Sequence, residues 1–421
     1  MTDSTATPRA FAVLKNRNFA TFWSAALVSN TGMWMSNLTI PFVLYQITGS
    51  AVWVGFFALA NFVPSILLAP LGGVLADRFD RRKVLIFTQM GAAAAAGSLW
   101  LVWLSGVREP IGLLIPVMFS GVFAGLNMAS FMAFINDLVP RNQLRAAVTL
   151  NSIQFNIARA FGPLMAGALL LVAGPAWALF INFASYVVVV FALLVIRARE
   201  TQQLVKLDHH VTRQLVNAVR YMWGHAGIKL AVLGGIVGGV LGQPIYSMSV
   251  VLAHTVYNVD EFHYGLLNAA LSIGAILSIP LLAGGAKRFP LSRAVGWGLA
   301  GGAGGLITIA ILQDYWVALP VFVFTGASLI LVMAGTNTVI QMIVRDDLRG
   351  RVLAVRQMTF MAAVPVGSML GGITSDLIGV QPFLMACGIT MLVALVAMRA
   401  FPQRGLVSMD DPHDASPAPA G

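Results

Sequence analysis

The chain has 421 residues, 58% of them hydrophobic and only 10% charged. Soluble domains carry roughly a quarter charged residues, so the solvent of this chain is lipid, and disordered, collagen-like, coiled-coil and disulfide-rich classes are excluded together. The single cysteine, Cys387, leaves no intrachain disulfide and no Cys-based metal cluster, and the formal charge of +10 does not indicate nucleic acid, because Lys and Arg are spread through every second loop instead of forming one patch.

A helix needs about 20 apolar residues to cross the hydrocarbon core. Twelve such stretches are predicted, at 19–45, 52–75, 84–105, 111–139, 144–173, 176–196, 228–255, 262–286, 294–312, 316–344, 352–378 and 382–400. Arg9, Lys15 and Arg17 lead into a first run too long for a signal-peptide core, with no small-residue cleavage site behind it, so the first helix is expected to serve as its own insertion signal. With Met1 in the cytoplasm, 23 of the 26 Lys and Arg residues fall on the cytoplasmic side, Arg108 falls outside, and Arg159 and Arg356 fall within spans. That asymmetry places both termini in the cytoplasm.

The chain then divides as follows. Residues 1–18 are a cytoplasmic N-terminal tail, 19–196 a six-helix bundle, and 197–227 a cytoplasmic central loop. Within the loop, 211–223 fits a short surface helix with Leu215, Val219 and Met222 on one side. Residues 228–400 form the second bundle, and 401–421, rich in Pro and Ala, are expected to be a disordered cytoplasmic tail.

An internal repeat relates the halves. A shift of 210 aligns Gly55, Ile66, Leu67, Pro70, Leu71, Ala76, Arg78 and Phe79 with Gly265, Ile276, Leu277, Pro280, Leu281, Ala286, Arg288 and Phe289. A shift of 204 aligns Arg141, Leu144, Arg145, Val148, Ala158, Met165 and Gly167 with Arg345, Leu348, Arg349, Val352, Ala362, Met369 and Gly371. Both shifts keep loop sidedness, which marks parallel repeats.

The loop between the second and third spans reads GGVLADRFDRRKVL. Gly73 can let helix backbones approach, and Asp77 can sit near a helix N-terminus of the other half and pair with Arg81, making a charge latch with Arg78 and Arg82 beside it. The alternative is a merely positive-inside loop, which explains the arginines but not Gly73 with Asp77. These residues resemble the loop signature of the major facilitator superfamily, Gly-x-x-x-Asp-Arg followed by a basic cluster, with Asp80 at the family's second Gly and Lys287 in the matched second-half loop where Asp77 stands here. The fifth span carries Ala158, Gly162, Pro163, Ala166 and Gly167. This resembles the antiporter motif of superfamily exporters, and with PRNQLRAAVTLNSIQFNIARAFGP it is similar to the branch of siderophore, macrolide and other drug efflux proteins. Physically, the small residues form an i, i+4, i+8 stripe for close packing and Pro163 bends the helix, whether or not this confers direction. The resemblance implies an all-α membrane protein of twelve transmembrane helices, in two pseudo-symmetric six-helix bundles around a central cavity lined by spans one, four, seven and ten.

Arg159 lies near the middle of the fifth span, where an unpaired charge costs at least a few kcal/mol. It shares a face with Ser152, Asn156 and Pro163, and either lines a polar cavity or holds carbonyls freed by Pro163. Arg356 is close enough to Arg351 to snorkel to the cytoplasmic surface. Asn30, Trp34, Asn37 and Pro41 share one face of the first span, Phe123, Asn127 and Phe134 one of the fourth, and Gln243, Asn337 and Gln341 are second-half candidates. Amides and aromatics in an apolar chamber suit an amphipathic small-molecule substrate, although each amide alone serves equally well as a bond between helices.

No metalloprotease, phosphate-loop, nucleophile-elbow or dinucleotide motif is present, so neither an enzyme nor a metal or cofactor site is expected. Proton antiport is implied by the resemblance, while no Asp or Glu lies deep in any span: Asp137 and Asp376 sit at span ends, as does His254. The resulting expectation is a multi-pass exporter of the bacterial inner membrane. Uptake, lipid movement, or a non-transporting receptor or assembly subunit are the alternatives.

Overall fold

A computed structural model describes residues 10–196, 211–278, 290–345, 348–400 and 405–410, without the side chains of 10 and 211–216. The repeat partners Pro280, Leu281, Ala286, Arg288 and Phe289, the loop residue Lys287, the end of the span expected at 262–286 and the side chain of Leu215 lie outside the described residues.

Among the described residues every apolar run is helical, and no strand occurs. In chain order these are α1 (Arg17–Thr48), α2 (Ala51–Arg78), α3 (Arg81–Leu104), α4 (Pro110–Leu138), α5 (Leu144–Ala173), α6 (Pro175–Val195), α7 (Val211–Gly224), α8 (Ala226–Val237), α9 (Pro244–Thr255), α10 (Glu261–Leu277), α11 (Leu291–Ile311), α12 (Tyr315–Ile343), α13 (Arg349–Ile378) and α14 (Val380–Arg399). Ten helical segments among the described residues are long and apolar enough to cross a membrane, α8 and α9 counting as one. Apolar side chains stand bare on their flanks, Val172 at 84% and Leu377 at 78% exposure, as lipid-facing surface requires.

The helix ends follow local chemistry. Asp80, Asp260 and Asp314 cap the N-termini of α3, α10 and α12 with their own side chains. Gly174, at φ +78°, separates α5 from α6, and Gly379, at φ +95°, separates α13 from α14, so the same positive-φ glycine turn occurs twice. Between α8 and α9, the run Gly238–Gly242 takes one π turn, in which the Gln243 N–H reaches Gly238 O at 3.1 Å. Pro244 behind it has no N–H to continue the α ladder, and glycines tolerate the wider turn.

By contacts the chain forms two units, Met1–Val43 with Ala60–Lys206, and Leu44–Leu59 with Leu207–Gly421. The core of the first contains Phe19, Phe22, Leu85, Phe134, Ile135, Leu150, Leu193 and Ile196, with Phe22 and Phe134 edge to face at 5.3 Å. In the second unit, bare backbone draws 44–59 inward: a Cβ on Gly372 would lie 2.6 Å from Ala51 O.

One expectation needs correction. The tail 401–421, read as disordered from its Pro and Ala content, contains a 3-10 turn at Gly405–Asp410 with Leu406 and Met409 buried. The Asp410 carboxylate accepts from the Ser292 N–H at 3.0 Å and from the Ser292 hydroxyl, capping α11, whose own N-cap is Pro290 and has no side chain to offer. By the repeat shift of 210, Ser292 matches Arg82, whose N–H is capped by Asp80 at 2.8 Å. Short apolar side chains between the prolines supply the anchor that overall composition obscures.

Candidate functional site

In the first unit α1 lies along α5 through a ladder of small and polar residues. Trp23 Nε1 donates to Leu150 O at 2.9 Å, Asn30 Nδ2 donates to Gln154 Oε1 at 3.2 Å, and a Cβ on Gly162 would lie 2.5 Å from the Trp34 Cβ. Residues 150, 154, 158 and 162 are four apart, so one face of α5 makes the seam, with Ala158, Gly162, Pro163, Ala166 and Gly167 all buried along or beside it. Fully buried Gln154, which donates on to Asn151 Oδ1 at 3.3 Å, is the seam residue sequence reasoning missed. Its signal was available: it stands one turn before Ala158 on the small-residue stripe.

At the centre of the seam the Arg159 guanidinium lies 5.5 Å from the centroid of the Trp34 ring, within cation–π range. Phe155 meets the same indole edge to face at 5.9 Å. The Trp34 Nε1–H is enclosed and has no acceptor among the described residues. Asn37 accepts from Asn61 at 3.5 Å, one turn further along α1. Asn30, Trp34 and Arg159 therefore share the seam, while the bond of Asn37 ties α1 to α2.

Asn127 stands apart from them. It accepts from the Thr88 hydroxyl at 3.0 Å and ties α4 to α3, while Phe123 fills the space above Gly91 on the same helix pair. In the second unit Gln243, at the π turn, donates to Met333 Sδ at 3.5 Å, and Gln341 is exposed without a hydrogen bond among the described residues. Asn337 accepts from Arg356 at 3.2 Å. Arg356 does not snorkel: it is 6% exposed, and its guanidinium also donates to Met333 O at 2.7 Å and Thr336 Oγ1 at 3.2 Å. Three neutral acceptors on α12 give the charge an interior alternative to the surface.

The latch loop also differs from expectation. Arg81 pairs with Asp137 at 2.8 and 3.1 Å, not with Asp77, because Asp80 starts α3 and sets Arg81 in its first turn beside the end of α4. Arg82 closes the C-terminus of α6, donating to Leu193 O and Leu194 O at 2.7 Å each. Arg78 is exposed, as is Asp77, which makes no hydrogen bond or ion pair among the described residues. Gly73 has no described atom within 4 Å of a built Cβ. The close approach belongs to Gly72, whose Cβ would lie 2.6 Å from Gly125 O on α4.

The profile of the transmembrane secretion effector family matches residues 8–419. The chain is similar to macrolide efflux protein A of Streptococcus pyogenes, 22% identical over 90% of this chain and 94% of that one. It is likewise similar to the enterobactin exporter EntS of Escherichia coli, 24% identical over 91% and 93%. Among solved structures, an inward-facing bacterial homologue of the human lysosomal transporter Spinster covers 99% of this chain and 100% of its own, with a TM-score of 0.73 at 14% identity. A family profile running nearly the whole length, over helices of membrane-crossing length, makes the chain a membrane transporter of the transmembrane secretion effector family in the major facilitator superfamily.

Proposed function

We propose that this transporter exports amphipathic, drug- or siderophore-like small molecules across the bacterial inner membrane by alternating access, in exchange for protons. The reading takes α1 and α10 as further spans, giving twelve in two pseudo-symmetric bundles, 19–196 and 228–400, with both termini cytoplasmic. The polar residues Asn30, Thr31, Ser36, Asn37 and Thr39 dilute the apolar character of α1. Such residues persist in lipid where they face protein or water.

The observation that carries the proposal is the α1–α5 seam, where Arg159 stands over Trp34 and the indole N–H has no acceptor among the described residues. A cation, an amide pair and an aromatic face inside apolar helices suit a solute with an aromatic body and an anionic or phenolic edge. The macrolide and enterobactin relatives support that substrate class. In the same reading Asp77 and its arginines act as a conformational latch, and Ala158, Gly162, Pro163 and Gly167 let α5 move closely against α1. Gln243, Asn337 and Gln341 are the second-half contacts.

The test compares intracellular accumulation of a cationic dye, a macrolide and a catecholate, with and without the gene and with and without a protonophore. Lower accumulation that the protonophore abolishes supports the proposal; accumulation unchanged or raised by the gene refutes export. Arg159→Gln should then lose anionic solutes selectively, with Arg159→Lys retaining part. Equal loss of all solutes with a lowered Tm would remove Arg159 from the substrate contact.

A further inference from the structure

At the end of α2 opposite Asp77, the first backbone donors of the helix are taken by a carboxylate from far along the chain. Asp376, in the last turn of α13, accepts from the Ala51 N–H at 2.6 Å, from the Val52 N–H at 3.4 Å and from the Ser50 hydroxyl. All four residues belong to the second compact unit. The approach is built rather than incidental, because two glycines remove the bulk that would keep the helices apart. A Cβ on Gly372 would lie 2.6 Å from Ala51 O, and one on Gly55 would lie 2.9 Å from the Met369 Cα. Tyr45 of α1 is close enough to feel the charge of Asp376, and His254 of α9 meets the Tyr45 ring at 5.6 Å.

Asp376 differs from the other carboxylates near helix starts on this side. Asp260 and Asp314 each cap their own helix, and Glu109 precedes α4 without a side-chain bond to it. Bonds of that local kind persist however the helices move against each other. The bond from Ala51 to Asp376 spans 325 residues and breaks if α2 and α13 separate. At the far end of the same helix, Asp77 has no partner among the described residues.

We propose that Asp376 is a second latch of the transport cycle, acting on α2 at the end opposite Asp77, so that the helix is held at one end at a time. This rests on the alternating-access reading above. A helix N-terminus attracts a carboxylate over a short range only, which makes the contact a two-position device that a small displacement releases. Its place at the outer ends of the spans means that it holds the outer side, while Asp77 is available to hold the cytoplasmic side in the other state.

The experiment uses the full chain in lipid nanodiscs. Replacing the single cysteine by Cys387→Ser gives a background in which Val52→Cys and Leu377→Cys carry spin labels, and the distance between them is measured by pulsed electron resonance. With Asp376 present a short distance dominates. Asp376→Ala should raise the ratio of long to short by about fivefold, the shift that follows from losing a cap contribution of about 1 kcal/mol, and Asp376→Asn should fall between. Asp314→Ala removes a cap that cannot report movement, so it should lower Tm without changing the distance. An Asp376→Ala distribution identical to the parent, or an equal shift in Asp314→Ala, overturns the latch. The functional reading fails separately: if the labelled parent moves no dye in vesicles while Asp376→Ala still shifts the distance, export is lost and the latch stands.

Discussion

Adding one methyl group at Gly162 tests the α1–α5 seam directly. The new Cβ would lie 2.5 Å from the Trp34 Cβ, 3.1 Å from Thr31 O and 3.3 Å from the Met35 backbone nitrogen. Two carbons need about 3.5 Å at least, so α1 has to retreat by roughly 1 Å, and two of the three obstacles are backbone that no rotamer change removes. Overpacking of this kind costs about 1–3 kcal/mol. Gly73→Ala should change stability by less than about 0.5 kcal/mol, since its Cβ meets open space among the described residues. The assay is thermal unfolding of purified protein in detergent, paired with dye efflux at matched expression. Gly162→Ala should lower Tm by several degrees and Gly73→Ala should leave it in place. Truncating Trp34 to Ala in the Gly162→Ala background should not restore stability, because the obstacle is the Cβ and not the indole. Equal Tm values for Gly162→Ala and Gly73→Ala, or rescue by Trp34→Ala, would refute the packing argument.

Arg356→Met should cost about 1–3 kcal/mol by removing charge-assisted donors from Met333 O, Thr336 Oγ1 and Asn337 Oδ1; a change in unfolding free energy under about 0.5 kcal/mol would mean that the side chain reaches the surface after all. Asp80→Ala should destabilise α3 by about 1 kcal/mol through loss of its N-cap, read from the denaturation midpoint, while Asp80→Asn retains most of it. Partial burial raises the Asp260 carboxyl, but hydrogen bonds and charge from His263 outweigh this and hold it below the usual carboxylate range. Its contribution is therefore present above the ordinary value of about 3.9 and is lost as pH falls through the lowered one. Below about pH 5 the Tm difference between the parent and Asp260→Asn should shrink as pH falls, and a difference that grows on acidification within that range would contradict the assignment.

What the sequence discloses and what it hides divide along physical lines. Helices of membrane length are legible because lipid demands apolar runs, and the α5 stripe is legible because a four-residue spacing survives any tertiary arrangement. Partner choice in the loops is not. Arg81 has acidic residues at 77, 80 and 137 within reach of a reader of the sequence, and only the cap made by Asp80, which sets where α3 begins, gives it to Asp137. Gly72 and Gly73 differ by about 100° around the helix, a rotation that hydropathy cannot resolve when both sides of α2 are apolar. Closeness along the chain to Arg351 points Arg356 to the surface, whereas the acceptors that retain it lie on a helix with no sequence proximity.

The Asp410 cap has a practical consequence for anyone shortening the gene. The last long helix ends at Arg399, and trimming the protein there looks harmless by hydropathy. It would remove the acceptor for the start of a helix 118 residues upstream and expose the sites that hold Leu406 and Met409. An affinity tag fused after Gly421 leaves the turn in place, whereas one fused directly to Ala400 replaces it. Low yields of a tail-trimmed protein would then be a folding defect of α11, curable by restoring the residues through Asp410, rather than a sign of toxicity or failed insertion.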